Sequence, residues 1–119
     1  MDKKLERILQ VAHSNRWSLK YRHVAKKNQY VLHFFAKDFL DGFAFSVLVN
    51  DSDNENIFIG NVAQSIFATW QNFSVENETE IYLKKIGCNS RFSAQANKIY
   101  MDVNYYIYNI YCMFFSLSK

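Results

Sequence analysis

Asp51, Asp53 and Glu55 alternate along the chain as the first three ligands of a calcium-binding loop do. Such a loop also needs a glycine at its sixth position and a bidentate glutamate at its twelfth. Asn56 and Val62 stand there, so both the sharp turn and the oxygen count are missing. The three carboxylates are expected instead to form an acidic tip suited to a basic partner. His13, His23 and His33 are ten residues apart, a spacing that puts no two on one helical turn or one strand face. No metal site follows from them. Cys88 falls just after a helical segment, but nothing in the sequence orients a histidine toward it as a nucleophile–base pair requires. There is no glycine-rich phosphate loop, GxSxG elbow or HExxH, and three glycines give little material for a cofactor cradle. The sequence is therefore read as that of a non-enzyme with no cofactor.

The other candidate site is basic. Lys20 and Arg22 project from one face of a strand, and Lys26 and Lys27 continue the stripe into the following turn, with Tyr21 and Tyr30 nearby. Such a ridge can follow a phosphate backbone while an aromatic ring stacks on a base. Charged residues on an outer strand face also guard an edge against unwanted pairing.

These two features belong to a wider sorting of charge. Residues 1–37 hold nine bases and two acids, residues 38–80 eight acids and no base, and residues 81–119 five bases and one acid. The net +3 is thus +7, then −8, then +4. A fold built from such blocks presents a basic and an acidic surface unless the blocks pack side by side and neutralise each other.

At 119 residues, without proline and without a glycine- or serine-rich linker, the chain is read as one domain, 1–119. Eleven Phe, eight Tyr and two Trp favour a strand-rich core. The charged start MDKKLERILQ lacks the apolar run of a signal peptide, and two distant cysteines suit reduced thiols, so a cytoplasmic location is expected. The aromatic run from Tyr105 to Phe115 is too short to span a membrane.

Asp2 caps a first helix to about Asn15, with Leu5, Ile8, Leu9 and Ala12 on one side. Alternation then predicts strands from Trp17 to Val24, Tyr30 to Phe35 and Phe43 to Val49, joined by a polar turn at Lys26–Gln29 and a loop at Lys37–Gly42. The Asn- and Asp-rich stretch 50–56 reads as a turn leading to a short return strand, Ile57 to Ile59. Asn61 and Gln64 resemble a capping box for a helix over 61–73 with Val62, Ile66, Trp70 and Phe73 inward. Ser74 starts a third helix, with Val75, Ile81, Tyr82 and Ile86 inward and Gly87 as its stop. After a polar connection over 88–98, period-two spacing from Ile99 to Phe115 predicts a long, bent strand, with a helix over Tyr105–Phe115 as the rival.

The expected fold is α+β, a single antiparallel sheet of about five strands in the order α-β-β-β-β-α-α-β, with the last strand near its centre. The core is expected at Leu19, Leu32, Phe34, Phe45, Val47, Ile66, Trp70, Ile107 and Tyr111. In general character, a short proline-free chain rich in Asn, Lys, Phe and Tyr resembles small proteins of bacteriophages and other mobile elements, including anti-CRISPR and toxin-immunity proteins. The absence of catalytic motifs, the segregated charge and the surplus of Tyr and Phe lead to the expectation of a protein-binding module, an inhibitor or accessory factor of a phage or mobile element, with Lys20, Arg22, Lys26 and Lys27 and the tip Asp51, Asp53 and Glu55 as its two candidate contact surfaces. Nucleic-acid binding by the basic stripe is the alternative. A homodimer through the aromatic final segment is a further expectation.

Overall fold

The computed structural model describes residues 2–38, 40, 42–71, 74–88 and 94–119. Their order is α1 (Lys3–Ser14), β1 (Trp17–Val24), a 3-10 turn (Ala25–Lys27), β2 (Gln29–Ala36), β3 (Ala44–Asn50), α2 (Glu55–Gln71), α3 (Ser74–Lys85) and α4 (Ala94–Leu117). The protein is α+β, with four α-helices among the described residues. The sheet has three antiparallel strands in the order β1-β2-β3 where five were expected.

The meander forms as its alternation predicts. Trp17, Leu19, Tyr30, Leu32, Phe34, Phe45, Val47 and Val49 point to one side and are buried there. Asn28 takes the left-handed conformation, φ 51°, that closes the turn between β1 and β2. Phe34 lies at the centre of this face. Its ring stacks on Phe45 at 4.9 Å and meets Trp17 and Phe114 edge to face at 6.2 and 6.3 Å. Asp2 caps α1 by accepting the Lys4 backbone N–H at 3.1 Å, and Leu5, Ile8 and Ala12 pack onto the core.

The predicted return strand at Ile57–Ile59 is instead part of α2. Asn54 Oδ1 accepts the Ile57 N–H at 3.1 Å, and Ser52 Oγ accepts the Asn54 N–H at 3.2 Å. The Asn/Asp stretch therefore caps a helix, the other use of its side chains. Helical spacing then buries Phe58, Ile59, Val62, Ala63 and Ile66 together, and Asn61 lies inside the helix instead of capping it.

The predicted final strand is the helix α4. Ala96, Ile99, Val103, Ile107, Ile110 and Phe114 recur every three or four residues and are all buried. The period-two pattern arises because α4 is apolar on its outward side as well, so alternate positions look apolar whichever way the chain is wound. The rival helical reading of Tyr105–Phe115 is the correct one, and a bulge near Asn104 or Asn109 is not needed.

Trp70 and Tyr111, expected in the core, are half-buried at its margin, where Trp70 Nε1 donates to Asn104 Oδ1 at 2.9 Å. In α3, Tyr82 and Leu83 are buried, while Ile81 and Ile86, expected inward, are exposed. Gly87, φ 82°, ends that helix, with its N–H bonded to Lys84 O and the next N–H, Cys88, bonded to Leu83 O. Phe73, the side chain of Val75 and residues 89–93 lie outside the described residues, and the end of the expected 88–98 connection, from Ala94 on, is already the first turn of α4. Among the described residues no helix is long and apolar enough to cross a membrane.

Candidate interaction surface

Among the described residues the buried side chains of the sheet all lie on its inner face. The pairing register assembles the other face from Ser18, Lys20, Arg22 and Val24 on β1, Gln29, Val31, His33 and Phe35 on β2, and Ala44, Ser46, Leu48 and Asn50 on β3. One cross-strand row is Lys20, His33 and Ser46, and the next is Arg22, Val31 and Leu48. The Lys20 ammonium lies 5.6 Å from the Phe35 ring centre, close enough for a cation–π contact that holds both side chains above the sheet. His33 Nδ1 and Ser46 Oγ are 2.6 Å apart. Gln29 Nε2 donates to Asn50 Oδ1 at 2.9 Å, leaving Gln29 Oε1 shielded from solvent and without a partner among the described residues. Phe35 and Leu48, two large apolar side chains of this face, are 38% and 53% exposed.

Lys20 and Arg22 thus share the outer face of β1, as their spacing predicts, and Lys26 and Lys27 follow in the exposed turn. None of the four makes an ion pair among the described residues.

The two edges of the sheet differ. Alternation along β3 turns the backbone groups of Leu48 and Asn50 away from β2. Ser65 Oγ donates to Leu48 O at 2.9 Å, and Asn61 Nδ2 donates to Asn50 O at 3.0 Å, so α2 covers this edge with side-chain donors. The β1 edge has no strand beside it among the described residues, and it is the edge that carries the basic stripe.

The acidic residues are arranged differently from the expected tip. Asp51 Oδ1 is 2.6 Å from Lys4 Nζ, and the same ammonium donates to Ser52 O at 2.7 Å and lies 5.1 Å from the Phe58 ring centre. Lys4 is only 6% exposed. Glu55 pairs with Arg7 at 3.0 Å, and Arg16 approaches Asp38 at 3.9 Å. Asp53 alone of the three stays outward without an ion pair among the described residues. The basic first block and the acidic second block therefore neutralise each other where α1 meets the start of α2, leaving the charge of β1 and its turn unopposed by Asp51 and Glu55. Sequence reasoning missed this, because the pairs Lys4–Asp51 and Arg7–Glu55 join residues 47 and 48 positions apart.

Burial pulls the Lys4 ammonium toward its neutral form. The Asp51 hydrogen bond and the charges of Asp51 and Asp2 outweigh that pull, so Lys4 titrates above its usual 10.5. Burial and the nearby Asp51 charge likewise push the Tyr30 phenol up from 10.0. In both groups the folded state holds the proton more tightly, so their contribution is complete below the unfolded pKa and is lost as pH rises through the folded one. Denaturant midpoints should stay level between about pH 7 and 9.5 as far as these groups are concerned, then fall above about pH 10. In Lys4→Met/Asp51→Leu that alkaline fall should be shallower, as read from urea titrations at a series of pH values.

His13 contacts Lys37, His23 stacks on Tyr30 at 4.7 Å, and His33 meets Ser46, so the histidines go to separate places. Among the described residues no three His, Cys, Asp or Glu side chains are grouped so as to hold a metal ion.

No family model, curated protein or solved structure matches the chain. The functional reading accordingly rests on the surface itself.

Proposed function

We propose that the chain is a non-catalytic protein-binding module, an inhibitor or accessory factor of the kind carried by phages and other mobile elements, and that its contact surface is the outer face of the sheet. The reading is carried by one observation: no described helix covers this face, which sets Phe35, Val31 and Leu48 among Lys20, Arg22 and His33. An apolar centre with a charged margin is the composition of an interface, and its sign calls for an acidic partner. The mobile-element setting is supported by composition alone.

A second reading has its own observation. With Asp51 and Glu55 paired to α1, the stripe Lys20, Arg22, Lys26 and Lys27 is available to a phosphate backbone beside an exposed Phe35 ring. If the stripe neutralises about four phosphates, log affinity should fall with log salt at a slope of roughly −3.6 on duplex and −2.8 on single strands.

Affinity capture with the wild type, Phe35→Glu and Leu48→Glu separates the two. A stoichiometric acidic protein held by the wild type and lost from both variants is the expected result. Retention of RNA or DNA alone, with the salt slopes above, would replace the first reading with the second.

A further inference from the structure

The β1 edge carries a row of unused backbone groups. Arg16 O accepts the Lys37 N–H at 3.1 Å, which fixes the parity of the ladder between β1 and β2. Ser18, Lys20, Arg22 and Val24 therefore bond to β2, while Leu19, Tyr21 and His23 turn their N–H and C=O groups outward. Among the described residues these outward groups meet no partner. They form three donors and three acceptors along about 13 Å of strand. At the β3 edge, by contrast, the carbonyls of Leu48 and Asn50 are already taken by Ser65 and Asn61.

Beside the β1 edge runs a groove of about 500 Å3, bounded by Leu9, Gln10, His13 and Ser14 of α1 and by Ser18 and Leu19 of β1. It leaves room next to Leu19 for another length of chain. Of the charged residues of α1, His13 bounds this groove and the acid Glu6 does not. On the other side of the edge stand Lys20 and Arg22, both exposed and without an ion pair among the described residues.

We propose that an extended segment of an acidic protein adds to β1 as a fourth, antiparallel strand. The inference rests on the reading of the sheet face for the sign of the partner, and it adds the edge and the register by which that partner is held. Backbone hydrogen bonds to Leu19, Tyr21 and His23 supply attachment, and the side chains supply choice. Residues facing Lys20 and Arg22 fall in the closer, non-hydrogen-bonded pairs of such a ladder, so acids two positions apart meet both cations. The residues facing Tyr21 and Leu19 turn to the opposite side, where Leu9 and Leu19 offer apolar surface along the groove. The pattern selected is acid, apolar, acid, apolar, set against Arg22, Tyr21, Lys20 and Leu19 in turn. A second copy of β1 would bring like charges together across this ladder. A nucleic acid can follow the cations but has no peptide groups to fill the row.

The probe is a capped eight-residue peptide of alternating Glu and Val, with amide hydrogen exchange read by NMR. In the free protein the Leu19, Tyr21 and His23 amides should exchange faster than those of Lys20 and Arg22. With the peptide at ten times its Kd they should slow about tenfold, because they are open only in the unbound fraction. N-methylation of the valines, whose N–H groups face β1, should abolish binding. N-methylation of the glutamates, whose N–H groups face away, should leave it intact. Lys20→Glu/Arg22→Glu should lose this peptide and bind its counterpart with Lys in place of Glu, a gain that an unfolded variant could not show. The proposal is overturned by a peptide that fails to bind or to slow these amides, by equal binding of the two N-methylated forms, by amides already protected in the free protein, or by oligouridine binding where the peptide does not. Unprotected amides beside a captured partner that Phe35→Glu and Leu48→Glu release would remove the edge and keep the face. Protected amides with capture indifferent to those two substitutions would keep the edge and remove the face.

Discussion

Phe34→Ala should lower the unfolding free energy by about 4 kcal/mol, the largest loss expected from any single truncation of the sheet. Phe34 has no solvent exposure, and its ring is held by Phe45, Trp17 and Phe114, which come from two other strands and from the last helix. Removing it opens a cavity where the elements that set the fold converge, and the rigid neighbouring rings cannot close over it. Phe34→Leu, which keeps most of the volume, should lose under half as much. Urea titration of the three proteins checks both statements, and a loss below about 1 kcal/mol in Phe34→Ala would place the centre of the core elsewhere.

Lys4→Met should cost about 3 kcal/mol, although lysine on a first helical turn is ordinarily a surface residue. The variant keeps the length of the side chain and its packing on Phe58, so the loss isolates the charge. Asp51 is then left largely enclosed without its cation, and Ser52 O loses its donor. The double variant Lys4→Met/Asp51→Leu should recover most of the loss, since neither charge remains to be desolvated. By contrast, Arg7→Ala should cost under 1 kcal/mol, because the Arg7–Glu55 pair stands in solvent. Equal losses for Lys4→Met and Arg7→Ala would show that the Lys4 pair is as solvated as its neighbour.

The sequence was legible where one side of an element meets solvent and the other meets the core. The helix α1, the three strands and the end of α3 at Gly87 all follow from alternation, helical spacing and turn residues. Reading failed where an element is apolar on both sides. Residues 99–115 satisfy a period of two and a period of 3.6 together, and the choice is made by the buried set Ile99, Val103, Ile107, Ile110 and Phe114 meeting a sheet whose position the sequence does not supply. At Ile57–Ile59 the error came from the turn residues before it, since Asn and Asp can close a hairpin or cap a helix with the same hydrogen bonds. Of the candidate site residues, Lys20 and Arg22 were placed by strand parity, a local property. The pairing of Asp51 and Glu55 with α1 is set by tertiary docking and leaves no local trace.

The hydrogen bonds from Ser65 and Asn61 to the outer edge of β3 have a bearing on how the protein behaves at high concentration. They leave the sheet able to lengthen in one direction only, at β1, where like charge on Lys20 and Arg22 keeps one molecule's strand from another's. Colloidal stability therefore hangs on the ionic condition of a single strand. Polyanions or high salt, which screen those two cations, lower the barrier to pairing of two molecules β1 to β1, a contact that closes on itself and cannot propagate while the β3 edge stays covered.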